Sequence, residues 1–160
     1  MKIFTAFVCA IALLPTIPAW AADPVWGCRT ANYCNWADLH GKSFAGQDLT
    51  EMSFEAANLT GANLKGVKAD HVVFQVANVD GADFSGAELQ GATFFTGSAQ
   101  KANFAGANLK GVNFTRTNLT GADFKGATLD ASTMFIHANL SGATWSDGRI
   151  CAVGSDGSCQ

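Results

Sequence analysis

Apolar residues recur at every fifth position from residue 37 to residue 136, and small residues keep the same spacing around them. The first two units are residues 37–41 (ADLHG) and residues 42–46 (KSFAG). In most units the central residue is Leu or Phe, the residue two before it is Ala, and the residue two after it is often Gly. A helix would space apolar residues 3.6 apart and a strand would space them two apart, so a period of five fits neither. The register holds for about twenty units and predicts a chain that turns a corner in every unit.

Each column of the repeat suits one physical role. Glycine supplies the conformational freedom that repeated turns demand, Leu or Phe is predicted to point inward, and the remaining polar residues are predicted to face outward. After Met134 the register slips by one residue, because the next clear unit is 138–142 (ANLSG). We interpret His137 as the inserted residue, a bulge near the end of the array. Units centred on Ala69 and Ala99 lack a large central side chain and predict local distortion.

Three units carry a family resemblance: residues 57–61 (ANLTG), 62–66 (ANLKG) and 107–111 (ANLKG). They resemble the A(N/D)LxG consensus of the pentapeptide-repeat family, and the resemblance covers residues 37–145. It implies an all-β fold, a right-handed quadrilateral β-helix with four units per coil and about five coils.

Four units per coil add a second period, of twenty residues. Central residues sorted by twenty give four columns in which aliphatic and aromatic columns alternate. The aromatic columns are Phe44, Leu64, Phe84, Phe104 and Phe124, and Phe54, Phe74, Phe94, Phe114 and Met134. A period of ten would produce the same sorting, so the pattern is consistent with four faces without proving them. Either way it predicts phenylalanine ladders along two opposite faces, with each buried ring contributing roughly 1.5–3 kcal/mol.

The first 21 residues predict a signal peptide. Lys2 supplies a positive start, residues 3–14 form an apolar run, and Ala19 and Ala21 are the small residues that signal peptidases accept. We expect cleavage after Ala21 and a periplasmic or secreted mature chain. The alternative is a membrane anchor, but the apolar run is shorter than the roughly 20 residues needed to span a bilayer.

The predicted organisation is a signal peptide at 1–21, an N-terminal cap at 22–36, the solenoid at 37–147 and a C-terminal cap at 148–160. Caps are expected because a solenoid exposes unpaired edges at both ends. Trp26, Tyr33 and Trp36 suit the first cap, and residues 145–159 suit the second.

Four cysteines remain after removal of the signal: Cys28, Cys34, Cys151 and Cys159. An even count in an exported chain favours disulfides, and four free buried thiols are the alternative. The implied stack separates its ends by some 24 Å at roughly 4.8 Å per coil, whereas disulfide-bonded Cα atoms lie within about 7 Å. The implied fold therefore predicts a Cys28–Cys34 bridge and a Cys151–Cys159 bridge.

Charge and motifs give no sign of catalytic chemistry. The net charge of −3 comes with no basic patch, which disfavours direct nucleic-acid binding. His40, His71 and His137 stand in no metal-ligand spacing, neither cysteine pair forms a CxxC motif, and no G-x-S-x-G elbow is present. No catalytic, cofactor-binding or metal-binding residue is predicted. The chain is not expected to be an enzyme or to need a cofactor.

Apolar residues at positions that should face water suggest an interaction patch. Val73, Phe95 and Phe135 flank central positions of the fourth column, and Val76 and Ile136 occupy corner positions where Gly is usual. With four faces, all five lie on or beside one face, and contiguous exposed apolar area marks partner sites. The hypothesis is that this face docks a partner protein or a second copy. The alternative is local distortion that buries these residues.

The predicted function is that of a non-catalytic exported protein acting as a protein-binding or structural surface, with an unknown protein partner or a homodimer. No integral membrane segment is expected after signal cleavage. The resemblance also implies an alternative, a DNA-mimicking inhibitor of a topoisomerase, DNA gyrase. Export, weak net charge and the lysines of the C-terminal half argue against that alternative, and an enzyme is less favoured still.

Overall fold

The computed structural model describes residues 32–160, and in this part the chain is built from single bridge residues joined by turns. From Tyr33 with Ser53 up to Asn108 with Thr128, the bridges are parallel and each pairs one residue with the residue twenty positions later. A return distance of twenty residues is four units, so the chain has four faces. We call one circuit of twenty residues a level.

We number the four faces by their columns of inward-facing central residues, all of them buried except Leu129 and Trp145, which are half-buried. Face 1 has Leu39, Leu59, Val79, Ala99, Leu119 and Leu140. Face 2 has Phe44, Leu64, Phe84, Phe104, Phe124 and Trp145. Face 3 has Leu49, Ala69, Leu89, Leu109 and Leu129. Face 4 has Cys34, Phe54, Phe74, Phe94, Phe114 and Phe135.

One unit illustrates how the sequence makes the corner. The N–H of Leu59 donates to the carbonyl of Asn78 on the next level (2.7 Å), and the N–H of Ala62 closes the turn on the carbonyl of Leu59 (2.9 Å). Gly61 adopts φ +64°, a left-handed conformation that costs glycine nothing. Its own N–H donates to the carbonyl of Asp80 (2.8 Å), so the corner is also bonded to the next level.

Two phenylalanine ladders fill the core, as the columns predict. On face 4 the rings of Phe54, Phe74, Phe94, Phe114 and Phe135 stack with centroids 4.9–5.3 Å apart. On the opposite face 2, the rings of Phe84, Phe104 and Phe124 stack at 5.1 and 5.3 Å. The two ladders meet edge to face in the centre, an arrangement that the ring quadrupoles favour.

The units with small central residues are not distorted, and that expectation is wrong. Ala69 and Ala99 are fully buried. The bridges beside them keep the twenty-residue spacing, Lys68 with Glu88 and Ser98 with Asn118.

The one-residue slip lies earlier than the sequence suggests. Asn108 still pairs with Thr128, twenty residues on, but Asn113 pairs with Met134, twenty-one residues on. The extra residue is therefore between Thr128 and Met134, and the assignment of the insertion to His137 is wrong.

Asp130 holds this lengthened corner together. One of its carboxylate oxygens accepts hydrogen bonds from the hydroxyl of Ser132 (2.6 Å), the N–H of Ser132 (2.9 Å) and the N–H of Thr133 (3.1 Å). The same oxygen accepts a hydrogen bond from the N–H of Gly111 (3.2 Å). It replaces a backbone carbonyl as the acceptor, because one level earlier the N–H of Gly91 donates to the carbonyl of Lys110. These bonds, first that of the Ser132 hydroxyl, hold the pKa of the Asp130 carboxyl below its usual range.

The earlier slip changes which side chains enter the core. Phe135 is the central residue of face 4, 9% exposed and stacked on Phe114 at 5.2 Å. Met134, expected inside, is 39% exposed, and His137 is a corner residue with φ +56°. The assignments of Met134 to the core and of Phe135 to the surface are thus corrected together.

The C-terminal segment folds back over the end of the solenoid. Ile150 pairs in antiparallel fashion with Thr144, and Asp156 pairs with Asn139. Cys151 and Cys159 form the predicted disulfide, with Cα atoms 4.8 Å apart. The cap therefore continues the hydrogen bonding of the last level and is closed by a covalent bond.

The N-terminal end of the described chain already follows the repeat. Tyr33 bridges to Ser53, and Cys34 is buried and disulfide-bonded. Trp26 and Cys28, predicted for the first cap and the first bridge, lie outside the described residues. Within residues 32–160 no helix has the length and apolar character of a membrane span.

Candidate interaction face

Face 4 carries most of the large apolar side chains that reach the surface. Seven large apolar residues are exposed in the described part of the chain, and five of them lie on face 4 or at the corner that follows it. These five are Tyr33 (58% exposed), Trp36 (74%), Val76 (52%), Met134 (39%) and Ile136 (56%). The other two, Ile150 and Val153, belong to the C-terminal cap.

Face 4 has six described levels, which we number from the N-terminus. They are residues 33–36, 53–56, 73–76, 93–96, 113–116 and 134–137. On each level two side chains face outward, one before and one after the buried central residue, and a corner residue follows. Glu55 is the one charged side chain among those outward positions of face 4. Face 3, in contrast, carries acids and lysines at the same positions: Asp48, Lys68, Asp70, Glu88, Lys110 and Asp130.

The corner after face 4 contains no glycine at any of its six described levels. Its residues are Trp36, Ala56, Val76, Thr96, Arg116 and His137, with φ between +54° and +63°. The corner after face 2 is glycine at every described repeat of the same turn, at positions 46, 66, 86, 106 and 126. A positive φ is unusual for any side-chain-bearing residue and is a true outlier for the β-branched Val76 and Thr96. Each such residue costs on the order of 1–3 kcal/mol, and strain of this kind concentrates at functional sites.

Val76→Gly is expected to raise the free energy of unfolding by up to about 1 kcal/mol. Release of the left-handed strain outweighs the extra freedom that glycine adds to the unfolded chain. Urea unfolding followed by circular dichroism measures the difference. The matched control is Gly106→Val, where a Cβ meets no atom within 4 Å but φ is +67°, so strain alone should destabilise it. Equal destabilisation by both variants would show that the corner after face 4 is not strained.

The five residues predicted for the patch are distributed as follows. Val73 and Phe95 are half-buried outward residues of levels 3 and 4, and Val76 is the exposed corner residue of level 3. Ile136 is exposed on level 6, at the position after the central residue and not at the corner. Phe135 is the exception, since its ring lies in the core.

Sequence reasoning missed three exposed residues of the same face, Tyr33, Trp36 and Met134. Tyr33 and Trp36 were assigned to a cap because the repeat was started at residue 37, although residues 32–36 (NYCNW) fit the same register of five. Met134 was missed because of the misplaced slip. A further signal was present, the absence of glycine from positions 36, 56, 76, 96 and 116.

Polar groups line shallow grooves elsewhere on the described part of the chain. One groove of about 350 Å³ lies beside the cap, where His137 Nδ1 is 3.7 Å from a carboxylate oxygen of Asp156 and both side chains are exposed. Another, about 250 Å³, lies on face 3 beside His71 and Lys110. Among residues 32–160, no three His, Cys, Asp or Glu side chains are grouped as metal ligands.

Comparisons with known proteins agree with this architecture. A model of the pentapeptide repeat region matches residues 47–124. The chain is similar to QnrB1, a plasmid-mediated fluoroquinolone resistance protein, with 22% identity over 69% of this chain and 61% of QnrB1, and a TM-score of 0.52. This likeness concerns the fold alone.

Two further solved structures are similar in sequence. A pentapeptide repeat protein from the Arabidopsis thaliana thylakoid lumen is 32% identical over 76% of this chain and 82% of its own, with a TM-score of 0.33. The pentapeptide repeat protein Rfr23 from the cyanobacterium Cyanothece 51142 is 20% identical over 76% and 96%, with a TM-score of 0.40. No curated protein matches the chain in sequence.

Proposed function

The chain belongs to the pentapeptide-repeat family, and from that premise we propose that it is a non-catalytic protein whose face 4 binds another protein surface. The fold we propose is the right-handed quadrilateral β-helix of the family, with about five coils from residue 37 onward. The parallel bridges at a spacing of twenty residues support it. The observation that carries the function is the concentration of exposed apolar side chains on face 4, because contiguous apolar area in contact with water marks partner sites.

The rigidity of face 4 suits such a role. The ladder of stacked rings from Phe54 to Phe135 lies directly behind it, and parallel bridges hold its backbone at every level. A surface that is already ordered loses little conformational entropy on binding. Flat bridged surfaces pack against one another at about 10 Å. We therefore expect a partner with a flat surface of its own.

We further propose that residues 1–21 direct the chain out of the cytoplasm, into the periplasm or beyond the cell. The Cys151–Cys159 disulfide and the disulfide-bonded state of Cys34 support this proposal, because disulfides persist in oxidising compartments. N-terminal sequencing of the chain from its host should give a start near Ala22. An uncleaved chain with free thiols in the cytoplasm would contradict it.

Site-specific photocrosslinking tests the binding face. A photoreactive phenylalanine analogue at position 76 should give protein adducts in the host, whereas the same analogue at position 125, an exposed site on face 2, should not. Ile136→Asp added to the position-76 variant should remove the adducts, since a charge would enter the apolar surface. Equal yields at positions 76 and 125 would refute a role for face 4.

The charges do not favour the gyrase-inhibitor alternative. A mimic of DNA needs a continuous row of negative charge. On face 3, the most acidic face, Lys68 and Lys110 interrupt the acids, and the whole chain carries a net charge of only −3. The likeness to QnrB1 shows a shared fold and does not change this comparison.

A further inference from the structure

Apolar and charged levels of face 4 follow the same order whether they are counted from level 1 or from level 6. Levels 1 and 6 each carry two exposed large apolar side chains, Trp36 and Tyr33 at one end and Ile136 and Met134 at the other. Levels 3 and 4, in the middle, carry further apolar side chains, among them Val76. The levels between them carry charge.

Those two intermediate levels carry opposite charges. Glu55 lies on level 2 and Arg116 lies at the corner of level 5. Within residues 32–160 neither side chain takes part in an ion pair; the pairs found there join His137 with Asp156 and Arg149 with Asp147. The order along the face is therefore apolar, acid, apolar, apolar, base, apolar.

We propose that face 4 is the self-complementary interface of an antiparallel homodimer. A two-fold axis perpendicular to the solenoid axis, placed between two facing copies and midway between levels 3 and 4, sets level 1 against level 6, level 2 against level 5 and level 3 against level 4. Glu55 of each copy then lies beside Arg116 of the other. Such an isologous contact repeats every pair twice, so one charge pair becomes two.

The sizes of the facing side chains also fit this register. The same operation sets outward positions against like positions and corners against corners. Arg116 then meets Ala56, a small residue that leaves room for a guanidinium beside Glu55. At each end of the interface Tyr33 meets Met134, and Trp36 meets His137 next to Ile136. Aromatic residues, Met and Arg are the residue types that protein interfaces favour.

The opposite arrangement is disfavoured by the same charges. If the two solenoids ran parallel, every level would face itself, so Glu55 on level 2 and Arg116 on level 5 would stay three levels apart. Neither side chain would then meet the opposite charge of the other copy. Charge pairing therefore favours the antiparallel arrangement over the parallel one.

The size of face 4 sets the strength of the dimer. Six levels at roughly 4.8 Å span about 24 Å, and a single face is only one unit wide. The total buried area falls at or below about 1,200 Å², the low end for specific interfaces. We therefore expect reversible dimerisation in the micromolar range.

This inference rests on the proposed binding role of face 4 and names the partner as a second copy. Sedimentation equilibrium of the chain purified from its host should give a concentration-dependent dimer. Glu55→Arg and Arg116→Glu should each raise the dissociation constant at least about tenfold, because each variant sets like charges together. The double variant E55R/R116E should restore dimerisation to within about threefold, a difference of about 0.7 kcal/mol.

The matched control is Lys125→Glu, which makes the same charge change on exposed face 2 and should leave dimerisation unaltered. Folding is not expected to interfere, because Glu51 already occupies a corner at φ +60° and shows that Glu is tolerated in the conformation of Arg116. Thermal unfolding midpoints verify this for every variant.

The possible negative results test different parts of the proposal. A chain that stays monomeric at about 1 mM overturns the homodimer, and if position 76 still crosslinks to a different protein, the proposed binding role survives. A dimer that Val76→Asp weakens but that E55R/R116E does not restore uses face 4 in another register, which overturns the antiparallel pairing alone. A dimer indifferent to every face 4 variant overturns both.

Discussion

Phe94→Ala should lower the free energy of unfolding by about 3–5 kcal/mol, the range for removing a fully buried aromatic ring. The Phe94 ring is 1% exposed and lies in the middle of the face 4 ladder. It stacks between two rings of its own ladder at 4.9 and 5.0 Å and meets two rings of the other ladder, each at 5.7 Å. Its loss leaves a cavity with contacts missing on four sides.

The position of Phe94 makes the loss more than a local one. In a solenoid each level contacts only its neighbours, so the levels are coupled only through the contacts between adjacent pairs. When a central level is weakened, the two halves of the stack can unfold separately. Urea unfolding should show a lower midpoint and a shallower slope, since a reduced slope indicates lost cooperativity.

Phe95→Ala is the matched control, the same substitution one residue along the chain. Phe95 faces outward on face 4 and is half-buried, so the expected loss of stability is about 1 kcal/mol or less. This variant should instead weaken association through face 4. Equal losses of stability at positions 94 and 95 would contradict the inward and outward assignment of the unit.

The ladders were predictable because they depend on one rule applied many times. The period of five sets the turn, the period of twenty sets the column, and a single residue type at each central position sets the packing. Phe54, Phe74, Phe94 and Phe114 follow from that rule without knowledge of any individual contact. The rule even tolerates Ala69 and Ala99, because the backbone bridges on either side keep the spacing.

The place of the slip could not follow from the same rule. An extra residue either before Met134 or at His137 leaves the next unit, 138–142, in register. The choice is made by side chain to backbone hydrogen bonds in the corner, where Asp130 accepts donors from Ser132 and Thr133. Asp and Ser bond in this way to their own turns, so the sequence DAST at 130–133 was the available signal.

Face 4 was partly predictable for a similar reason. Val73, Val76 and Phe95 stand out because each breaks a column of polar residues or glycine. Its full extent depends on the register at both ends, and two-fold complementarity depends on knowing which levels carry Glu55 and Arg116. The strained corner after face 4 points to the same surface. Each residue other than glycine at that corner costs stability, and its side chain lies at the edge of the proposed interface.

Deletion of residues 148–160 should make the chain associate through its exposed end. The cap accepts the backbone donors of the last level: the N–H of Leu140 donates to Ser155 (2.9 Å) and that of Gly142 donates to Cys151 (3.0 Å). Without the cap these groups form an open sheet edge above the ring of Trp145, which ends both ladders. An open, flat, apolar edge is a template for pairing with another chain.

Light scattering and sedimentation velocity measure this association, which should exceed that of the intact chain at equal concentration. A milder change is the double variant Cys151→Ser and Cys159→Ser, which keeps the full length of the cap but removes its covalent closure. By loop entropy the disulfide contributes about 2–3 kcal/mol to the free energy of unfolding. It should associate more slowly than the truncated chain, because the cap opens only part of the time.

Combination with Arg116→Glu separates end pairing from the dimer through face 4. One surface is a set of backbone groups at the end and the other is a set of side chains along the side, and Arg116 lies a level away from the residues that touch the cap, such as His137 beside Asp156. At a concentration where the intact chain carrying Arg116→Glu is mostly monomeric, the truncated chain carrying the same substitution should therefore still associate. If the truncated chain keeps the mass of the intact one, the cap is not what protects the end, and the uncovered edge must be blocked by the side chains of level 6 themselves.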